Sequence, residues 1–205
     1  MVVKQFVVLR CISFEIPFLY LKNMSTIGKE YLDTAIRRLK YYKHLSEQAF
    51  DQLEEKDFHF QPSTESNSVA VIIQHVAGNM LSRWTDFLTS DGEKEWRQRD
   101  NEFEIHNYTK QQLIDLWEKG WTCFLNTLQS LNEEDLLRIV YIRKEPLTVI
   151  DAINRQLAHY PHHIGQILYV GKIIRNESWK SLSIPKGHSE NYNTIEKIKD
   201  PAKKY

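Results

Sequence analysis

The sequence predicts an all-α domain built as a four-helix bundle, with a small β-hairpin before the last helix. Three observations carry that expectation. Apolar residues recur at three-, four- and seven-residue intervals over long stretches of the chain. Each of those stretches opens on Ser, Thr, Asn or Asp, the residues that cap helix N-termini. Seven glycines and six prolines in 205 residues are too few for a many-turned β fold.

In the first helix Ile27, Tyr31, Ala35, Leu39, Tyr42, Ala49 and Leu53 form one stripe, capped by Ser25 or Thr26. Lys29, Glu30, Arg37, Arg38 and Lys40 form the opposite, solvated face. Glu54 to Ser66 is polar, contains Pro62 and reads as a loop. Asn67 or Ser68 caps a second helix through Val69, Ile72, Ile73, Val76, Met80 and Trp84, apolar nearly all round as for a rod buried on several sides. A charged, aromatic-studded crossover follows from Ser90 to Asn107. Thr109 caps the third helix, through Leu113, Trp117, Trp121, Phe124 and Leu128. Asn132 to Asp135 starts a short turn, and Val140 to Val149 alternates enough for a hairpin. Thr148 or Asp151 opens the fourth helix, which runs to about Ile174, and the polar tail beyond Asn176 is expected to be irregular.

The domain is expected to span residues 24–205. Residues 1–23 read as an N-terminal extension: Phe6 to Leu9 and Phe18 to Leu21 are apolar, but Arg10 and Glu15 interrupt the run. A membrane span needs about 20 predominantly apolar residues, which this stretch does not supply. Zero formal net charge gives no electrostatic footprint for nucleic acid or an anionic membrane. Two distant cysteines, Cys11 and Cys123, fit a reducing cytoplasm and argue against a disulfide framework.

The chemistry concentrates in Leu157-Ala158-His159-Tyr160-Pro161-His162-His163-Ile164-Gly165-Gln166-Ile167. His159 and His163 are four apart, so on a helix both imidazoles share a face, with Cβ atoms about 5–6 Å apart. Two such rings can converge on one metal ion. His75, on the strongly apolar second helix, is the best third ligand. Three histidines from two helices leave a coordination position open, as in catalytic rather than structural sites. The competing reading is three hydrogen-bonded core histidines, but burying imidazoles without partners costs about 1–3 kcal/mol per unsatisfied group. Pro161 falls between the two helical ligands, and a kink there would let His162 replace one of them.

Other metal chemistries fail on spacing. A di-iron bundle needs Glu-x-x-His pairs, whereas Ile72, Gln156 and Tyr160 stand three residues before His75, His159 and His163. A metalloprotease helix needs Glu directly after its first histidine, where this chain has Tyr160. Asn79 and Arg83 follow His75 at four and eight residues, and Gln166 follows His163 at three. These are candidate substrate-binding or ligand-orienting groups, or else polar residues at helix ends. Gly78 and Gly165 either allow close helix approach or keep space open beside a metal. Cys123 reads most simply as a small core residue.

His75 with His159-x-x-x-His163 resembles the DinB-like (YfiT-like) superfamily from Met24 onward. The match is closest to an uncharacterised bacterial branch, through Asn67-Ser68, the run His75 to Trp84, the Asp91-Gly92-Glu93-Lys94 turn with Trp96-Arg97 and Arg99-Asp100, and His163 to Ile167. Pro161 is a departure that bears on ligand geometry. The resemblance implies an up-down four-helix bundle, usually homodimeric, with a divalent metal such as zinc or nickel on the three histidines. It further implies, for some relatives, S-transfer with a low-molecular-weight thiol such as bacillithiol. Carried over, the partners are a small-molecule thiol and an electrophile, with Arg83 or Asn79 orienting the cosubstrate. Two other readings stand beside it: a non-catalytic metal-binding dimer, and metal-assisted hydrolysis. No acidic residue on the histidine-bearing stripes offers itself as a base for hydrolysis.

Overall fold

The computed structural model describes residues 25–195 and 199–205; the expected extension over residues 1–23 lies outside them. The described chain is mostly helical: α1 Ile27–Phe50, α2 Glu55–Phe58, α3 Val69–Trp84, α4 Lys110–Ser130, α5 Val149–Arg175 and α6 Ser189–Thr194. The strands β1 Ile139–Ile142 and β2 Glu145–Thr148 form an antiparallel hairpin that pairs Val140 with Leu147 and Ile142 with Glu145.

The caps are those the sequence offers. Thr26, Ser68, Thr109 and Thr148 each accept a hydrogen bond from the backbone N–H three residues on, satisfying a donor the helix leaves unpaired. Thr109 and Gln112 form a reciprocal capping box. α1 stops at Phe50, short of Leu53, and the expected loop from Glu54 to Ser66 opens with α2, whose own box pairs Glu54 with Asp57. The tail is less irregular than expected, holding α6 and a 3-10 turn over Pro201–Lys204.

The four long helices touch in a cycle, α3 against α4 and α1 against α5 most extensively, with α3–α5 and α1–α4 contacts joining the pairs. α3 is buried along almost its whole length, as its all-round apolarity requires. At its C-terminal end Trp84 packs on Phe87 and Phe124, with centroids 4.4 and 4.6 Å apart, and Phe124 meets Tyr160 edge-on at 5.1 Å. Tyr160 is fully buried; its hydroxyl accepts from Trp84 Nε1 and donates to Asn79 Oδ1, both at 3.1 Å. That link fixes α5 against α3. α5 continues through Pro161 without interruption. No helix among the described residues is long and apolar enough to cross a membrane.

Helix approach is set by Gly120, not by Gly165. A Cβ at Gly120 would lie 2.9 Å from Ala77 Cα, whereas one at Gly165 meets nothing within 4 Å. Gly120→Ala is therefore expected to lower unfolding stability by about 1–3 kcal/mol through overpacking of α3 against α4. Gly165→Ala should raise it by about 0.5–1 kcal/mol, the usual gain for removing a mid-helix glycine. Urea denaturation of the two variants checks the contrast, and equal effects would contradict this packing.

Candidate metal centre

α3 and α5 bring His75, His159 and His163 together: one ligand nitrogen from each lies within 4.8 Å of the others. The i, i+4 spacing survives Pro161, with His159 Nε2 and His163 Nε2 3.1 Å apart. His162 is exposed and stands outside this cluster.

Each ring is oriented from behind. His75 Nδ1 donates to Glu102 Oε2 at 3.0 Å, His159 Nδ1 to Gln156 Oε1 at 3.3 Å, and His163 Nδ1 to Gln166 Oε1 at 2.8 Å. A carboxylate only accepts, so the His75 proton sits on Nδ1. The same tautomer at the other two leaves three Nε2 lone pairs as the free donors of the cluster. Lone pairs that converge in this way share a cation well. Nitrogens bound tetrahedrally at about 2.0–2.1 Å from zinc lie roughly 3.3 Å from one another, close to the spacing of the α5 pair. The donor set therefore fits a metal ion, with acceptors behind the imidazoles as metal-binding histidines ordinarily have.

The electrostatics favour the neutral form of the two α5 imidazoles. Burial, then the neighbouring His163, His75 and Arg155, pull the His159 pKa down to about 3. Burial also lowers that of His163, which the Gln166 hydrogen bond partly offsets. For Glu102, burial alone would raise the pKa, but the hydrogen bonds from His75 and Arg97 outweigh it and hold the carboxyl below its usual value. Arg97 Nε donates to Glu102 Oε1 at 2.7 Å and Nη2 to Oε2 at 2.9 Å. Phe103 packs on His75 with centroids 4.8 Å apart.

Asn79 and Arg83 are not surface residues. Both are buried, and with His75 and His159 they line a cavity of about 200 Å³. Arg83 Nη1 donates to Gly92 O at 2.7 Å and Glu93 Oε2 at 2.8 Å. Burial lowers the Arg83 pKa, and Glu93 works against that fall. Gln166 orients His163, outside the residues that line this cavity. Glu102, Arg97 and Gln156 complete the surroundings of the triad, and the sequence reading assigned them no role there. Gln156 was recoverable, since it precedes His159 by one turn on the same stripe. Glu102 was not, because it lies in the crossover with no periodic relation to His75. Gly78 makes room for it: a Cβ there would overlap Glu102 Oε1.

Two predictions follow from this arrangement. Glu102→Gln should weaken divalent-metal affinity about 10- to 100-fold, and Gly78→Ala should act in the same direction by displacing the carboxylate. Competition titration against a chromophoric chelator measures both, and parent-like affinity in both variants would remove Glu102 from the site. The second concerns pH. The unfolded chain protonates His159 near its ordinary value of 6.5, while the folded chain resists until about 3. Stability of the metal-free protein is therefore fully present above about pH 6.5 and is lost as pH falls from there toward about 3. Melting temperatures across that range should decline less steeply in His159→Gln than in the parent.

Comparison with known proteins bears on the whole domain. No curated protein matches the chain. Residues 26–188 match the family described as "Protein of unknown function (DUF1572)", a span that runs from the cap of α1 to the edge of α6 and contains every residue of the centre. The chain belongs to that family.

Proposed function

We propose that the protein is a metal-dependent enzyme of the DinB-like type, holding zinc or nickel on His75, His159 and His163 and transferring a small-molecule thiol to an electrophile. The observation that carries this reading is the convergence of three imidazole nitrogens from two helices, each ring held from behind. The cycle of contacts among α1, α3, α4 and α5 supports an up-down four-helix bundle. Sparse cysteines support a reducing cytoplasm. Exposed Tyr169 and Ile173, one turn apart on α5, supply apolar surface for a homodimer.

The bound metal would supply Lewis acidity, lowering a thiol's pKa so that thiolate is available at neutral pH. The remaining work belongs to the chain. Glu102, Gln156 and Gln166 hold the tautomers and ring directions. Phe103 covers His75 on its crossover side. Asn79, fixed by Tyr160, and Arg83, fixed by Gly92 and Glu93, present polar groups at the cavity where a cosubstrate would be oriented. A metal that merely satisfied buried imidazoles would need no adjoining cavity. The residues lining this one include no carboxylate, which favours thiol transfer over hydrolysis with a protein base.

Metal analysis of untagged protein beside His75→Ala and His159→Ala tests the centre. The expected result is about one zinc or nickel per chain in the parent and loss in both variants. A parent that takes up no metal even after loading would end the proposal. Transfer is tested by incubating loaded protein with bacillithiol and a bimane or chloro-aromatic electrophile. The parent should exceed His163→Ala, and equal rates would defeat the thiol-transfer reading for those substrates.

A further inference from the structure

The cavity beside the histidines is lined by five arginines, Arg83, Arg97, Arg99, Arg143 and Arg155, with Asn79 and Gln156 as neutral polar groups. Their charges are incompletely matched. Arg97 is taken by both oxygens of Glu102. A single oxygen, Glu93 Oε2, receives Arg83 at 2.8 Å, Arg143 at 3.1 Å and Arg97 at 3.5 Å. Arg99 approaches only the fully exposed Asp100, at 3.8 Å, and lies over the Phe103 ring, 5.2 Å from its centroid. Arg155, exposed on α5 one turn before His159, enters no ion pair among the described residues. Four of the five guanidinium groups thus share Glu93, Glu102 and Asp100, and Arg155 pairs with none of them. Two of the five, Arg83 and Arg97, are almost wholly buried, with side chains 4% and 2% exposed. Cations held in a low-dielectric wall focus positive potential into the cleft they line.

We propose that this cavity binds an oxyanion, the carboxylate or phosphate group of a small molecule, on Arg99, Arg143 and Arg155. Guanidinium forks match planar or tetrahedral oxyanions bidentately, which a cluster of lysines would not do. About 200 Å³ holds a charged headgroup with a few attached atoms, below the roughly 300–1,000 Å³ of sites that enclose a whole drug-sized ligand. The substrate is therefore an anion whose charged end rests on the arginines and whose reactive end reaches His75 and His159. This statement about the substrate rests on the metal-dependent reading above; the oxyanion site itself does not.

The test titrates the full chain, metal-free and zinc-loaded, with inorganic phosphate, with succinate and with neutral succinamide, followed by calorimetry. Arg155→Gln and Arg99→Gln, both at exposed or half-exposed positions, serve as variants, and zinc content is measured on every sample. The expected result is saturable binding of one anion per chain, no binding of succinamide, and affinity about 10- to 100-fold weaker in the variants at unchanged zinc content. Binding of phosphate alone identifies a phosphate group, and binding of succinate an organic acid. Binding by metal-free protein that never takes up zinc would uphold the oxyanion site while the metal reading fails. The proposal is overturned if neither anion binds, if the arginine variants bind as the parent does, or if binding needs zinc and ignores the arginines.

Discussion

The contact between Glu102 and His75 is the one on which the rest of the site depends. Glu102 is the only carboxylate among the described residues that touches the histidine triad, and it ties the long crossover to helix α3 at the triad itself. A carboxylate buried this far is costly unless its lone pairs are filled. Here Arg97 fills two of them and His75 one, so removing Arg97 leaves an uncompensated charge in the interior and removing His75 leaves a lone pair unfilled. The contact therefore fixes three things together: the His75 tautomer, the path of the crossover and the position of Arg97 at the cavity.

The crossover needs further anchors, because the single 3-10 turn Asp100–Phe103 that carries Glu102 cannot hold a side chain to a fraction of an ångström by itself. The β-hairpin supplies them. Its turn residues Arg143 and Lys144 have φ of 56° and 65°, a conformation L residues adopt at some cost. Their backbone N–H groups donate to Asp91 Oδ1 at 2.9 Å and Oδ2 at 2.7 Å, which offsets that cost and ties the turn to the crossover. Gly92 N donates to Tyr141 O at 2.8 Å, and Gly92 O in turn receives Ser82 and Arg83 from α3. A hairpin of eight strand residues, marginal by itself, is thus the clamp that holds the arginines beside the histidines.

What the sequence disclosed follows the range of the interactions involved. Helix starts were legible because a cap is a contact three residues long, and Thr26, Ser68, Thr109 and Thr148 all serve. His159 and His163 were legible because helical geometry turns a spacing of four into a shared face. His75 required the further inference that two apolar helices would pack with their histidines facing, and they do. Arg83 reads from the sequence either as a cosubstrate-orienting group or as a polar helix-end residue, and nothing local signals that Gly92 and Glu93 fold back over it. Glu102 and Arg97 were invisible for the same reason: their partners are fixed by where the crossover lies, which no periodicity encodes. The end of α1 at Phe50 and the capping box that starts α2 were missed through local chemistry, since Glu54 and Asp57 are uncommon in that role.

The cavity is lined by two kinds of group. Around the histidines every flanking acceptor is either Glu102 or a neutral amide oxygen, so the rings offer lone pairs, and burial keeps the His159 and His163 rings unprotonated. The other charged groups lining the cavity are guanidinium, three of them bonded to Glu93, which those arginines draw below its usual pKa once burial is overcome. Glu102 has one oxygen bonded to His75 and both bonded to Arg97, and so shields the imidazoles from that buried cation. Without it, Arg97 would stand beside the donor cluster with only the shared Glu93 oxygen, 3.5 Å away, to offset it, and a divalent ion would meet like charge at short range in a medium where that is expensive. That imidazole lone pairs and guanidinium groups line one cavity of about 200 Å³ thus comes down to one carboxylate placed by the crossover.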